Sequence, residues 1–467
     1  MAGRSSTTIR PVTRADRRTG TALALTLAAL ALAACGPREP DGVALVGATL
    51  IDGRGGPARP DMVVVTRGNR IESVGPLDGF DLPGHTLKVD VTGKFIIPGL
   101  IDAHAHVAQW AIPRYLAFGV TSVRDMHGPM DTILALRERA NLNAVLSPRV
   151  YSAGAMIDGA PVTYSDALEA HDQADARRAV DRLAVAGVDY IKVYSRVGPP
   201  MLRAILDEAN TFGLRVTAHL GLTDAVTAAT LGVRSIEHMS GVPEAASTSP
   251  ERFYAAHRRG FFPGWTYFES SWATLDSAAL ARVAKVLVEK NVILIPTLVL
   301  HETLSRLDDP ALLHDPALKA VPDSEIARWN VPGMIARAGW TAADFSAFRA
   351  ARPIQNLFLR EFLAAGGVIA AGTDASNQML VPGASEHTEM ELLVAAGLSP
   401  ADAILAATHD AATLLGADSI GVLTPGKAAD LVVLSRNPLE NIHNTRTIER
   451  VMVRGQLLAA DSIRASW

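Results

Sequence analysis

Cysteine is almost absent from this chain, whose 467 residues include a single one, Cys35. An internal disulfide is therefore impossible, and the cysteine count gives no information on the redox compartment. An excess of charge of either sign is missing too, because 44 lysine and arginine residues face 48 aspartate and glutamate residues. Basic residues cluster only at the N-terminus, so the composition gives no indication of a nucleic-acid partner.

A run long enough for a comfortable transmembrane helix, roughly 20 apolar residues, is also missing at the N-terminus. The apolar segment there is short (21–34), follows several arginines and ends in L-A-A-C-G at 32–36. This order is typical of a secretory signal, and its end resembles the lipobox of bacterial lipoproteins. We therefore expect a lipoprotein signal peptide (1–34), lipidation of Cys35 and a linker (35–41). The alternative is an incidental cysteine.

The predicted lipid anchor implies a location. A lipidated Cys35 would hold the protein to a membrane facing the bacterial periplasm. Glycine, not aspartate, follows the cysteine, which favours the outer membrane.

Both ends of the remaining chain are rich in short strand patterns separated by glycine turns. Residues 42–98 contain V-A-L-V-G-A-T-L-I-D and D-M-V-V-V-T-R-G, and residues 426–457 contain A-D-L-V-V-L-S and E-R-V-M-V-R-G. Neither end has enough strands for a stable domain by itself. We therefore predict one small β-sandwich domain composed of 42–98 and 416–467.

The middle of the chain, 99–415, alternates apolar strands with amphipathic helical patterns such as 174–187, 201–212, 276–290 and 357–365. The eight predicted strands are Phe95–Ile101, Val120–Arg124, Arg149–Ser152, Tyr190–Tyr194, Arg215–His219, Ser235–His238, Val292–Thr297 and Val368–Gly372. This number predicts an α/β fold of the (β/α)8 TIM-barrel type. A doubly wound sheet is the competing fold, but its glycine-rich phosphate fingerprint is missing.

Polar residues follow or interrupt five of these strands. His104 and His106 are two positions apart, so in a strand their side chains would point the same way and could bind one metal ion. The others are Lys192, His219, His238 and Asp374. Each has a structural explanation when taken alone. Together they gather at the strand ends where TIM barrels carry their active sites, which predicts a functional site.

With these residues the chain resembles the amidohydrolase superfamily in its binuclear metal form. The resemblance implies that His104, His106 and Asp374 bind one metal ion and that His219 and His238 bind a second. It also implies that Lys192 is carboxylated by CO2 and bridges both ions as a carbamate. Nitrogen and oxygen ligands suit Zn²⁺, with manganese, cobalt and iron as alternatives.

The resemblance also implies a reaction, in which a metal-bridging hydroxide attacks a carbonyl carbon and Asp374 transfers its proton to the leaving group. The segments at 119–125, 191–194 and 387–404 resemble the branch with imidazolonepropionase and the Xaa-Pro dipeptidases. We therefore expect a hydrolase of small-molecule amides: a dipeptide, an Xaa-Pro-like compound or an N-acyl amino acid. One alternative is hydrolysis of a lactone, carbamate or phosphotriester. Another is a non-catalytic lipid-anchored binding protein.

Four further residues are candidate substrate contacts: Tyr194, Arg196, His301 and His387. Tyr194 would hydrogen-bond the substrate carbonyl or an oxyanion, and Arg196 would pair with a substrate carboxylate. His127 and Asp125 are interpreted as structural. The aromatic-rich segment 253–272 is either a pocket wall or rim packing, and 301–352 is interpreted as rim helices or a lid. A homo-oligomer is compatible with the sequence.

Overall fold

The computed structural model describes Gly3, residues 41–84, residues 86–465 and Trp467. Cys35 and all of the predicted signal peptide and linker except Gly3 and Asp41 lie outside the described residues. Within the described part, no helix is both long and apolar enough to cross a membrane.

The chain begins and ends in strands and alternates strands with helices between them. The strands are β1 (Gly42–Leu50), β2 (Arg59–Arg67), β3 (Arg70–Pro76), β4 (Thr86–Asp90), β5 (Phe95–Pro98), β6 (Leu100–Ala105), β7 (Val120–Asp125), β8 (Arg149–Ser152), β9 (Ile157–Gly159), β10 (Leu168–Ala170), β11 (Ile191–Val193), β12 (Val216–Ala218), β13 (Ser235–Glu237), β14 (Ile293–Ile295), β15 (Val368–Ile369), β16 (Leu431–Leu434), β17 (Ile448–Val453) and β18 (Gln456–Ala459).

The α-helices are α1 (Ile112–Ala117), α2 (Met130–Asn141), α3 (Gln173–Val185), α4 (Pro199–Thr211), α5 (Ala225–Leu231), α6 (Val242–Ala246), α7 (Pro250–Arg259), α8 (Phe261–Ser271), α9 (Ser277–Glu289), α10 (Leu298–Ser305), α11 (Asp323–Trp329), α12 (Val331–Ala338), α13 (Ala342–Ala364), α14 (Ala384–Ala396), α15 (Pro400–Ala406), α16 (His409–Leu415) and α17 (Ala460–Arg464). Short 3-10 turns occur at Gln109–Ala111, Trp272–Thr274, Pro310–His314, Pro316–Ala320 and Ile442–Arg446.

Strands from both ends of the chain share one eight-stranded sheet, in the order β18-β17-β16-β5-β1-β2-β3, with β4 also paired to β1. β5 connects the two halves, because it is parallel to β1 and antiparallel to β16. Side chains of β1 alternate between two buried clusters. Leu45 and Leu50 belong to one, and Ala44 and Val46 to the other. Both faces of this sheet are therefore covered.

The strands between these ends run parallel in two sheets, β6-β7-β8 and β10-β9-β11-β12-β13-β14-β15. Predicted strands one to three correspond to β6, β7 and β8, and predicted strands four to eight correspond to β11 to β15. Both groups occur in the predicted order. β6 lies beside the segment after β15, because Ala103 N donates to Ala371 O over 2.9 Å. The carboxyl ends of β6 and β15 therefore lie side by side, and this brings His104 and His106 close to Asp374.

The predicted first strand, Phe95–Ile101, is wrong in one respect. The chain breaks at Gly99 into β5, in the terminal sheet, and β6, in the parallel strands. A Cβ on Gly99 would lie 2.0 Å from Thr121 Oγ1, so only glycine allows the chain to pass this close to β7. The helix predicted from residue 357 also begins earlier, at Ala342, where Thr341 and Asp344 form a capping box.

One buried carboxyl group in this fold predicts a pH effect on stability. Glu389 on α14 is fully buried, its Oε2 accepts from Val299 N over 2.7 Å, and burial raises its pKa from about 4.5 to about 8. The native state therefore keeps a proton that the unfolded chain releases, and the resulting loss of stability develops as pH rises from about 4.5 to 8.

Glu389→Gln removes this titration. We expect the urea midpoint of the natural protein to fall more steeply than that of Glu389→Gln between pH 5 and pH 8. Equal pH slopes for the two proteins would show that Glu389 ionises normally in the native state.

Candidate metal centre

The six predicted ligand residues surround one cavity. His104 is the penultimate residue of β6, Lys192 is central in β11, His219 and His238 follow β12 and β13, and Asp374 follows β15. His106 and these five residues line a cavity of about 990 Å³. The parallel strands therefore bring together, at their carboxyl ends, residues up to 270 positions apart in the sequence.

His104, His106 and Asp374 form the tightest group. The Nε2 atoms of both histidines lie 3.0 Å from the same oxygen, Asp374 Oδ1. Burial would raise the pKa of Asp374, but the hydrogen bonds from His104 and His106 hold it well below its ordinary value. One ligand atom from each residue lies within 4.8 Å of the others. Two imidazole nitrogens and a carboxylate oxygen converging in this way fit a divalent ion such as zinc.

His219, His238 and Lys192 lie directly beside this group. The rings of His219 and His238 are 4.7 Å apart, and those of His238 and His104 are 4.5 Å apart. Burial lowers the pKa of both His219 and His238 well below 6.5, which keeps the imidazoles neutral. Burial also lowers the pKa of Lys192 to about 8. Among the described residues its ammonium group has no hydrogen-bond or ion-pair partner.

Neighbouring groups hold three of the imidazoles by their Nδ1 atoms. His104 Nδ1 donates to Glu237 Oε2 over 2.6 Å, and His106 Nδ1 donates to the His127 carbonyl over 3.2 Å. His238 Nδ1 is hydrogen-bonded to Thr297 Oγ1 at 2.7 Å. Nε2 of each ring therefore faces the cavity, where those of His104 and His106 meet Asp374 Oδ1, and metal-ligating histidines are oriented through Nδ1 in the same way.

The backbone is strained where these side chains are presented. His238, Thr297 and Asp374 have φ values of 59°, 47° and 62°, in the left-handed region that favours glycine. Strain of this kind costs about 1–3 kcal/mol per residue and concentrates at functional sites.

Two buried carboxylates that were not predicted from the sequence, Glu237 and Asp102, hold the cluster in place. Glu237 contacts His104 and also accepts from Arg124 Nη2 over 2.8 Å. Asp102 Oδ2 accepts from Thr373 Oγ1 over 2.6 Å, which fixes the segment leading to Asp374. Each is the one acidic residue of its strand and lies close in sequence to a predicted ligand histidine. This pattern could have indicated a supporting role from the sequence.

The four predicted substrate contacts divide into two pairs. Tyr194 and Arg196 line the cavity, with the Tyr194 ring 4.6 Å from that of His219. His301 is buried behind the cavity, where it pairs with Glu269 and stacks on Trp265 at 5.6 Å. His301 was predicted to contact substrate, but the structure does not place it in the cavity lining.

His387 is also placed away from the cavity. Its Nε2 donates to the Phe118 carbonyl over 2.9 Å and its Nδ1 is hydrogen-bonded to Thr445 Oγ1, also over 2.9 Å. Both ring nitrogens are used, so His387 links α14 to Phe118 and Thr445 and lies outside the cavity lining.

The close packing of Gly372 predicts a loss of function on a small substitution. A Cβ at this position would lie 2.8 Å from both Cβ and N of His104. Gly372→Ala must therefore displace His104 or the eighth strand, and a shift of about 1 Å can cost about 100-fold in rate.

We expect Gly372→Ala to retain less metal and to lose about 100-fold in kcat. The measurements are elemental analysis and steady-state kinetics. Gly56→Ala is the matched control, since nothing lies within 4 Å of its added Cβ. If Gly372→Ala had the same metal content and kcat as the natural protein, the close packing would not be needed for the site.

The fold and this donor set are typical of α/β enzymes that hold metal ions at the ends of parallel strands. Residues 95–458 match the model of the amidohydrolase family. The chain therefore belongs to the amidohydrolase family. It is a hydrolase acting on carbon–nitrogen bonds of small molecules, and its family is typically metal-dependent.

Three similar proteins illustrate the range of the family. Imidazolonepropionase from Cereibacter sphaeroides is 26% identical over 401 residues, covering 83% of this chain and 91% of that protein. D-aminoacylase from Alcaligenes xylosoxydans is 39% identical over 90 residues, only 18% of either chain. The crystal structure of a candidate prolidase from Bifidobacterium longum is 25% identical with a TM-score of 0.69, covering 92% of this chain and 99% of that one.

Proposed function

We propose that this protein is a metal-dependent hydrolase of a dipeptide, an Xaa-Pro-like compound or an N-acyl amino acid. The observation that carries the proposal is the convergence of His104, His106 and Asp374 within 4.8 Å in a large cavity. The similarity to a D-aminoacylase and a candidate prolidase supports an amide whose product is an amino acid. The lipobox-like segment supports a periplasmic, membrane-anchored location.

We assign two ion positions to the predicted ligands. His104, His106 and Asp374 would hold one zinc ion, and His219 and His238 the other. When bound, zinc would polarise the scissile carbonyl and acidify a water molecule.

In the proposed site Lys192 would be carboxylated, and its carbamate oxygens would serve as ligands to the metal ions. Its Nζ would add to the carbon of CO2, forming an N–C bond and releasing one proton. Lys192 is buried among the histidines and forms no ion pair or hydrogen bond among the described residues, although the charges of Glu237 and Asp374 act on it, and this placement supports the assignment. A buried lysine cation beside two metal ions would be strongly repelled, whereas its carbamate supplies two anionic oxygens.

The other groups act directly on the substrate. Asp374 would accept the proton of the attacking water and return it to the leaving nitrogen. Tyr194 would donate a hydrogen bond to the carbonyl oxygen as it becomes negative. Arg196 donates Nη2 to the Arg258 carbonyl over 3.2 Å and has no acidic partner among the described residues. Its remaining N–H groups are free for a substrate carboxylate.

The test is amine release from a panel of dipeptides and N-acyl amino acids, each paired with its carboxamide, by the protein before and after chelation. We expect hydrolysis that chelation abolishes and zinc restores, with the free carboxylates preferred. Hydrolysis of lactones or phosphotriesters but of no amide would overturn the proposal.

A further inference from the structure

The cavity is larger than the proposed chemistry requires. Pockets for drug-sized ligands enclose roughly 300–1,000 Å³, and this cavity holds about 990 Å³. A scissile amide and one carboxylate occupy a small part of that volume. The rest of the cavity leaves room for another part of the substrate.

An aromatic wall, defined as Tyr164, Phe261, Phe262, Trp265 and Trp340, lines the remaining space. Phe261 is nearly parallel to Trp265, with centroids 6.0 Å apart and planes at 26°. Phe262 meets Phe261 and Trp340 edge-on at 5.5 and 5.9 Å. Such faces bind planar aromatic groups by stacking and edge contacts.

Contacts behind the wall fix its position. Trp340, which follows α12, donates Nε1 to Thr266 Oγ1 on α8 over 2.7 Å. Trp265 stacks on His301, which pairs with the buried Glu269. The wall thus connects the segments 253–272 and 301–352. Because these contacts need no ligand, the wall is preorganised for binding.

The wall is continuous with the reacting centre. The Phe261 ring lies 6.3 Å from that of His219, and Trp265 lies 5.9 Å from it. Arg196 lies near the N-terminal end of α8, the helix that begins at Phe261. Its Nη2 donates to the carbonyl of Arg258, three residues before Phe261. A substrate bound at Arg196 and the metal centre therefore extends directly onto the wall.

We propose that the aromatic wall selects amides that carry a large planar aromatic group in addition to a carboxylate. This inference rests on the proposed amide hydrolase function and names its substrate class. Acetylated or small aliphatic amino acids leave the wall uncovered and are poor substrates.

Two matched ligand pairs test the proposal. N-(2-naphthoyl)glycine with N-acetylglycine places the ring in the acyl half, and N-acetyl-3-(2-naphthyl)alanine with N-acetylalanine places it in the amine half. The measurements are kcat/KM and, with chelated protein, the dissociation constant by calorimetry. We expect one naphthyl compound to be favoured over its partner at least about tenfold, the gain of a few aromatic contacts.

Phe262→Leu is the diagnostic variant, because this ring contacts Phe261 and Trp340 but no ligand histidine among the described residues. We expect it to lower the naphthyl preference about two- to tenfold. Tyr267→Leu is the control, since Tyr267 lies on the same helix but packs on Phe253 at 4.7 Å. It should leave the preference unchanged, and melting temperatures would confirm that both variants fold.

The outcomes separate this inference from the proposed function. Equal kcat/KM within both pairs would overturn the aromatic preference and leave amide hydrolysis standing. If no compound is hydrolysed, the proposed function fails and calorimetry decides the binding question. Tighter naphthyl binding that Phe262→Leu weakens would support the wall, and equal binding would overturn it.

Discussion

Asp374→Asn is expected to lower kcat/KM for amide hydrolysis by about 10³-fold or more, within the range of 10²–10⁴ for a lost general base. The carboxylate has two roles that an amide cannot fill. Its Oδ1 lies 3.0 Å from Nε2 of both His104 and His106, so it supplies the only anionic charge of that group. It is also the proposed proton acceptor, and asparagine has no comparable basicity.

The substitution is nearly isosteric, so a folding defect is not expected to account for the loss. Asp374 Oδ2 accepts from Asn377 Nδ2 over 2.8 Å, and the asparagine carbonyl can keep that bond. Asp166→Asn is the control, because Asp166 lines the same cavity but pairs with His127 at 3.0 Å. A kcat/KM within tenfold of the natural protein in Asp374→Asn would exclude the assigned role.

Lys192→Ala is expected to reduce bound metal from about two ions per chain to one or fewer, and activity by at least 100-fold, the scale of a lost positioning group. Lys192 is 2% exposed and lines the same cavity as the histidines. In the proposed site, a carbamate on this side chain would supply the anionic oxygens that an unmodified lysine lacks. Lys192→Arg should fail equally, because a guanidinium stays protonated and cannot add to CO2.

A spectroscopic readout separates the carbamate from a structural lysine. Protein equilibrated with ¹³C-bicarbonate should give a carbamate carbon resonance that is missing in Lys192→Ala and Lys192→Arg. Full metal content and activity in Lys192→Arg, without that resonance in the natural protein, would exclude the bridging carbamate.

The fold class and the positions of the ligand residues were predictable because both depend on strand periodicity. His104 lies in β6 and His106 directly follows it, two positions apart, so both can reach Asp374, and parallel strands place their carboxyl ends together. The family match confirms the predicted resemblance and the hydrolase class. The two-ion assignment and the carbamate remain predictions.

The structure departs from the predicted placement of two residues where tertiary packing overrides local pattern. His301 and His387 follow predicted strand ends, but both lie on helices, α10 and α14, whose rotation decides where a side chain points. Periodicity carries no information on that rotation. Glu237 and Asp102 were missed for a related reason, since their partners, Arg124 and Thr373, are distant in sequence.

The aromatic segment 253–272 shows the same limit. Sequence alone left two interpretations, a pocket wall or rim packing, and the residues divide between them. Phe261, Phe262 and Trp265 line the cavity, whereas Phe253 and Tyr267 pack on each other. The proposed substrate class therefore depends on an aromatic wall whose residues come together only when the chain folds.

Zinc titration of the chelated protein, with amide hydrolysis recorded at each addition, tests the central claim most directly. Our account predicts no activity without metal and a linear rise that ends at two equivalents per chain. A plateau at one equivalent would contradict the two-ion site. Full activity after complete chelation would contradict the metal-dependent function itself.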